Sequence, residues 1–344
     1  MICPKCSVAN PANVQFCIHC GTPVFESDLH LHGLSHSLQT LIQSRYRLVK
    51  EIKAMHSIYY TAEDLVLGRM VFIKVLNPNI IQSRSWYFGQ RFVFEAKQQT
   101  NLIHENIQCL YDVILNRDIY AIIYEFVDGM TLKEYHIKQP IDKNTILTIT
   151  LQILLALNHA HNVSMVHGGV RPDNIFVSNN NRVKLRKFGF DMLENCERSG
   201  RRGITQYAKD VVYLSPEQIT KPRQVDERTD IYSTGIVLYE LLQGKFDYDF
   251  SVISDFELMQ RIVNGDLIDL NSLECKDTDL RALIQDMIAN NPSDRIVMKN
   301  LIDQINNLLN NESIGITEIQ RDEIIKKRNQ EPWIGAFQEQ RSIT

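Results

Sequence analysis

One stretch constrains this chain more than any other: NVSMVHGGVRPDNIFVSNNNRVKLRKFGFD, from Asn162 to Asp191. Directly before it, Asn144 to His161 carries apolar residues at helical spacing on more than one face, the pattern of a buried helix. The helix feeds a loop with His167, Pro172 and Asn174 at set offsets, and Phe188-Gly189 follows as a turn. Inside the loop stand two glycines, Gly168 and Gly169, and Lys187 precedes the turn. With 344 residues the chain can hold one large two-lobed domain plus a small extra module.

This arrangement resembles the catalytic core of the eukaryotic-type protein kinases, the family of the bacterial Ser/Thr kinases, where a His-Arg-Asp…Asn loop precedes an Asp-Phe-Gly turn. The resemblance implies an α+β, two-lobed kinase-like fold, and it marks this chain as a degenerate member. Gly168 and Gly169 take the Arg and Asp positions of the loop, and Lys187 takes the metal-binding Asp position. A missing general base typically costs ~10²–10⁴ in rate. At Lys187 a ligand for cations is replaced by a cation, which cannot coordinate Mg²⁺. Asn174 survives as one metal ligand, but a single neutral amide does not hold Mg²⁺ unaided.

No other acid is an evident substitute. Asp191 lies four residues past Lys187, up to ~13 Å away along an extended chain. Asp173 stands beside the loop, where the family usually has Glu. Arg171 keeps the charge of the family's loop lysine, and with Lys74 and Lys187 it makes the expected nucleotide cleft cationic.

From Tyr46 onward, alternating and β-branched residues predict successive strands. Where the family closes a glycine-rich loop over phosphates, Ile52 to Tyr60 contains no glycine. Side chains on Met55, His56 and Ser57 obstruct the close backbone approach that phosphates need. Val71-Phe72-Ile73-Lys74 matches the family's Val-Ala-Ile-Lys strand, so Lys74 takes the place of the phosphate-holding lysine. Glu95 takes the place of its helix partner, and a retained Lys74–Glu95 ion pair is expected. Phe72 replaces a small residue beside the adenine, Phe176 replaces an aliphatic one beneath it, and Tyr124 is bulky at the back. Two such phenyl rings would fill the adenine slot with their own apolar area. Lys74, Glu95 and Asn174 are thus vestiges of a cofactor site, and ATP and Mg²⁺ are doubtful cofactors.

Other matches are intact. Ser215-Pro216-Glu217 corresponds to the Ala-Pro-Glu that ends the activation segment, Arg295 to the arginine paired with that glutamate, and Asp230 to the aspartate bracing the loop from below. These residues hold shape, because buried charges must be paired. Between Lys187 and Glu217, Arg198, Arg201 and Arg202 read as a solvated loop or as a docking face for an acidic partner.

The first 24 residues hold a different signal. Cys3-Pro-Lys-Cys6 and Cys17-Ile-His-Cys20 form two C-x-x-C knuckles, whose four thiolates close a tetrahedral Zn²⁺ site and leave no place for water. The segment resembles the short zinc ribbons of many bacterial proteins, with structural zinc as the cofactor that folds it. Lys5 is the only Lys or Arg before Val24, so this ribbon lacks the cationic face that nucleic acid requires.

The expected organisation is a zinc ribbon at 1–24, a linker at 25–45, a kinase-like domain at 46–309 and a tail at 310–344. Within the domain the small lobe runs over 46–126 and the large lobe over 127–309. Trp333 to Phe337 is a lone apolar cluster in the tail, either frayed or an anchor. A net charge of −4 and 44% hydrophobic residues give no reason to expect nucleic-acid or membrane binding. No apolar run approaches the ~18 residues of a membrane span, and MICPKC is not a leader, so a reducing cytoplasm is expected.

Three function classes follow: a pseudokinase acting as scaffold or allosteric regulator through protein partners, an ATP-using transferase with an unusual site, and a nucleic-acid adaptor. The transferase class includes nucleotide transfer in place of phosphate transfer. Joint loss of glycines, base and metal acid favours the first.

Overall fold

The alternation of apolar residues that predicts strands in the first part of the chain gives way to helical spacing after about residue 132. The computed structural model describes residues 8, 19, 45–53, 57–76, 93–94, 96–115, 120–178, 180–188, 208–244, 246, 253–273, 275 and 277–313. The chain divides into two compact units, one of 1–96 with 110–126, the other of 97–109 with 127–344.

The first unit is built on a five-stranded antiparallel sheet of β1 (Tyr46–Lys53), β2 (Ser57–Asp64), β3 (Arg69–Leu76), β4 (Leu110–Leu115) and β5 (Tyr120–Glu125), in the order β1-β2-β3-β5-β4. Side chains on a strand alternate between faces. On β3 this buries Val71, Ile73 and Val75 with Ile58, Tyr60, Ala62 and Ile123 in one apolar cluster. Phe72 and Lys74 fall on the opposite face, and Lys74 is opposed by Tyr59 on β2 and Ile122 on β5. The β2–β3 turn is set by Asp64, whose Oδ1 accepts from the amides of Val66 and Leu67.

The second unit opens on β6 (Gly129–Thr131) and α1 (Leu132–Lys138), where Thr131 and Glu134 form a capping box. The long α2 (Lys143–Asn162) starts at the cap of Asp142 and buries Ile146, Leu147, Ile149, Ile153, Leu154 and Leu157. Its apolar residues spread over more than one face because other elements enclose it, as the sequence predicts. A three-stranded sheet of β6, β7 (Ile175–Ser178) and β8 (Val183–Leu185) lies in the same unit. Residues 97–109 join this unit through a bridge between Ile107 and Leu185 and through Asn106, whose amide donates to Val183 O and to Gln152.

Further along come α3 (Ala208–Val211), α4 (Pro216–Thr220), α5 (Arg228–Gln243), α6 (Asp255–Asn264), α7 (Thr278–Met287) and α8 (Met298–Ser313). Helix α5 is buried along most of its length. Gly235 on α5 allows that depth, since a Cβ there would come within 2.7 Å of Ile288 and 2.9 Å of Met287. Helix α8 runs four residues beyond Leu309, the expected end of the domain.

Candidate functional site

The loop after α2 is held from beneath by one carboxylate. Asp230, near the start of α5 and fully buried, accepts from the amides of His167 at 2.9 Å and Gly168 at 2.8 Å. It also receives His161 Nε2 at 2.8 Å. Burying a charge is tolerable only with such partners. His167 is fully buried as well. Its Nδ1 accepts from the Gly169 amide at 3.1 Å, which puts the proton on Nε2, and that nitrogen donates to Arg186 O at 2.9 Å. Gly168 adopts φ +69°, in the left-handed region that glycine enters without strain. Asp230 thus takes the bracing position expected of it.

Above this floor the Phe188 ring meets His167 edge-on, with centroids 4.6 Å apart. Phe188 belongs to the apolar core, and its carbonyl accepts from Gln99, a buried residue of the helical stretch 96–99. Sequence reasoning missed Gln99. A glutamine within a helix-like run gives no sign of its target until the fold places one. Lys187 is one of three non-glycine residues with positive φ among those described, at +69°. That conformation costs an L-residue roughly 1–2 kcal/mol, so the strain sits where the family holds its metal.

Within the loop, Asn174 is buried and donates to Gly169 O at 2.9 Å. Asp173, partly exposed, pairs with Lys133 at 3.0 Å. Arg171 differs from expectation. Its guanidinium lies 3.4 Å from the carboxylate of Asp210 on α3, so it is not a bare cation. The expected cationic character is offset at this residue, because a nearly buried guanidinium draws an anion to itself. Asp210 escaped sequence reasoning because nothing in the spacing from 171 to 210 announces the pair.

The metal test turns on these atoms. Mg²⁺ needs carboxylate oxygens in near-octahedral geometry, and Lys187 offers an ammonium instead. Gly169 contributes only backbone, already used inward. These residues do not fit the cation.

In the first unit Lys74 is 2% exposed, so its side chain is shielded from solvent. Tyr124 is buried. Phe72 stacks on Tyr59, with centroids 5.3 Å apart and planes at 20°. In the second unit Phe176 lies under the Arg186 guanidinium, 4.4 Å from its centroid. Each ring therefore has a partner of its own within its unit. Glu95, Met55, His56 and Asp191 lie outside the described residues, as do Arg198, Arg201, Arg202, Trp333 and Phe337.

The segment returning from the loop is tied down several times. Glu217 and Arg295 form a bidentate pair at 2.6 and 2.8 Å, the arrangement the sequence predicts. Burial pushes the Glu217 carboxyl up, but the hydrogen bonds and charge of Arg295 outweigh it and hold the carboxyl below its ordinary range. Ser215 and Gln218 make a capping box on α4, and Gln218 Nε2 reaches across to Gly168 O at 2.8 Å. Tyr213 donates to Glu240 at 2.7 Å. Burial raises Glu240 to about 6, against the opposing effect of that hydrogen bond.

The bracing Asp230 and the Glu217–Arg295 clamp stand where the kinase resemblance puts them. The protein kinase domain model matches residues 56–305. The chain belongs to the protein kinase family. A zinc-ribbon model matches residues 2–24, of which Val8 and His19 are described; Cys3, Cys6, Cys17 and Cys20 lie outside the described residues. Four thiols in two C-x-x-C pairs suit zinc by their chemistry.

Among curated kinases, the chain is 36% identical to serine/threonine-protein kinase PrkC of Bacillus subtilis over 212 residues, 60% of this chain and 32% of that protein. It is 34% identical to a probable serine/threonine-protein kinase of Clostridium acetobutylicum over 281 residues, 79% of this chain and 41% of the relative. It is 32% identical to serine/threonine-protein kinase PknB of Mycobacterium tuberculosis over 245 residues, 69% and 38% respectively. The chain thus spans about a third to two-fifths of the length of these relatives. No described helix is long and apolar enough to cross a membrane.

Proposed function

We propose that this kinase-family chain is a pseudokinase: a cytoplasmic scaffold or allosteric regulator that works through protein partners and does not transfer phosphate from Mg·ATP. The observation that carries the reading is Lys187, an ammonium-bearing residue in the metal-binding position, set in a strained left-handed turn directly before Phe188. Gly169 supports it by offering no side chain where the family has its base. The zinc ribbon, with Cys3, Cys6, Cys17 and Cys20 as ligands, is a structural module and a contact surface for protein rather than nucleic acid.

Purified full-length chain incubated with radiolabelled ATP and Mg²⁺ should show no label on itself or on a generic protein substrate. Label that appears and is abolished by Lys74→Ala overturns the proposal. It would favour the alternative, an atypical Ser/Thr kinase or nucleotidyl transferase. Pull-downs with and without residues 1–24 test the partner role, and a partner that depends on the ribbon is the expected result.

A further inference from the structure

His104, in the segment 97–109, and His159, on α2, stand ring to ring with centroids 5.2 Å apart and planes tilted by 34°. His104 is half-buried, and its Nδ1 accepts from the amide of Asn106 at 3.0 Å. The ring is therefore neutral in this arrangement and carries its proton on Nε2. The nitrogen that a second proton would take is the one the backbone is using. We propose that this pair is a proton-operated latch, closed at neutral pH, whose release loosens the segment 97–109 from α2 and β8 and so reaches the turn at Phe188.

Asn106 is the rivet of this junction. It is 4% exposed, its side chain donates to Val183 O and to Gln152, and its carbonyl accepts from the Leu185 amide at 2.8 Å. Gln108 N donates to Leu185 O at 2.9 Å. Towards the other end of the same segment, Gln99 donates to Phe188 O. One segment thus holds both β8 and the turn that follows it. An imidazolium at 104 has no lone pair for the Asn106 amide, and a part-buried amide left without an acceptor is costly. It also sets a cation against a second imidazole.

The charged and titratable groups around the His104 ring are His159 on α2, Glu105 on its own segment and Lys184 on β8. Burial opposes the proton most, then His159, with Lys184 adding to them; Glu105 favours it without prevailing. The folded ring therefore titrates below its ordinary value of 6.5. The latch's contribution is intact above that pH and is lost progressively as the pH falls below it. With the released ring titrating at 6.5, the open form gains ~10-fold on the closed one for each unit below that value. The latch goes beyond the pseudokinase reading and does not depend on it, since it moves the segment whether or not the chain handles ATP.

The test follows the full chain by amide hydrogen exchange, read peptide by peptide at about pH 7.5 and about pH 5.5 and corrected for the intrinsic pH dependence of exchange. Peptides covering 104–109 and 183–188 should lose protection ~10-fold at the lower pH, while those of the buried α5 should not. His104→Asn offers a carboxamide oxygen to the amide two residues on, the geometry of an Asx-turn, and takes up no proton. It should abolish the loss. His159→Phe keeps a ring against His104 and should leave the loss in place, because the switching nitrogen belongs to His104. A loss that persists in His104→Asn, that disappears in His159→Phe, that spreads equally over α5, or that is missing from the wild-type chain overturns the proposal.

If His104→Asn does not fold, nitrogen NMR of the wild-type histidines decides. His104 should carry its proton on Nε2 at neutral pH and gain one on Nδ1 as protection falls. Protonation of that Nδ1 with the Asn106 amide still protected overturns the proposal.

Discussion

The floor and the roof of the loop obey different rules. Beneath it, every charge is matched: Asp230 by His161 and two amides, Glu217 by both terminal nitrogens of Arg295. Above it, the positions that would handle phosphate and metal carry a bare backbone at Gly169 and a strained lysine at 187. The contrast teaches what each part is for. A buried unpaired charge unfolds a domain, so the floor tolerates no change; no such penalty guards the positions of the roof.

The sharpest way to break the comparison is to remove a floor acid. Glu217→Ala leaves Arg295 buried without its anion and should cost about 3–5 kcal/mol in denaturant unfolding. A loss below about 1 kcal/mol would mean the floor is no more constrained than the roof. The same pair should make the chain acid-labile. Because the folded Glu217 titrates below its ordinary value of 4.5, its stabilisation is present above that pH and is lost as pH falls further.

A smaller effect of opposite sign sits at Glu240. Burial raises its folded value from 4.5 to about 6, so the folded state binds the proton more tightly. Stability should therefore fall as pH rises between those values, by about 2 kcal/mol in all. Glu240→Gln should flatten the Tm-versus-pH curve in that window and leave it unchanged elsewhere. A slope that survives the substitution would place the titration on another group.

The smallest effect belongs to the roof. Lys187→Gly relieves the positive-φ strain, less what the freer unfolded chain takes back, for a net gain of under about 1 kcal/mol. A marked fall in Tm would show that the lysine holds structure, and the division between floor and roof would need redrawing.

Much of this was legible beforehand. The buried α2 and the strands from Tyr46 follow from short-range pattern, while the Glu217–Arg295 clamp and the bracing Asp230 follow from the resemblance to the kinase family. What escaped was long-range and polar. Gln99 on Phe188 O, His161 on Asp230 and Asp210 on Arg171 each join residues tens of positions apart with no periodicity to relate them. Hydrophobic period reveals which face is buried, but it does not say which donor a buried carbonyl will find. Gln218 was half legible: its capping box with Ser215 can be read from spacing, while its reach to Gly168 O cannot.

Gly168 carries a consequence for any side chain placed at this point of the loop. Its backbone sits at φ +69°, a conformation free to glycine and worth roughly 1–2 kcal/mol against any other L-residue. An arginine placed there starts with that strain, so exchange at this position runs downhill toward glycine and uphill away from it.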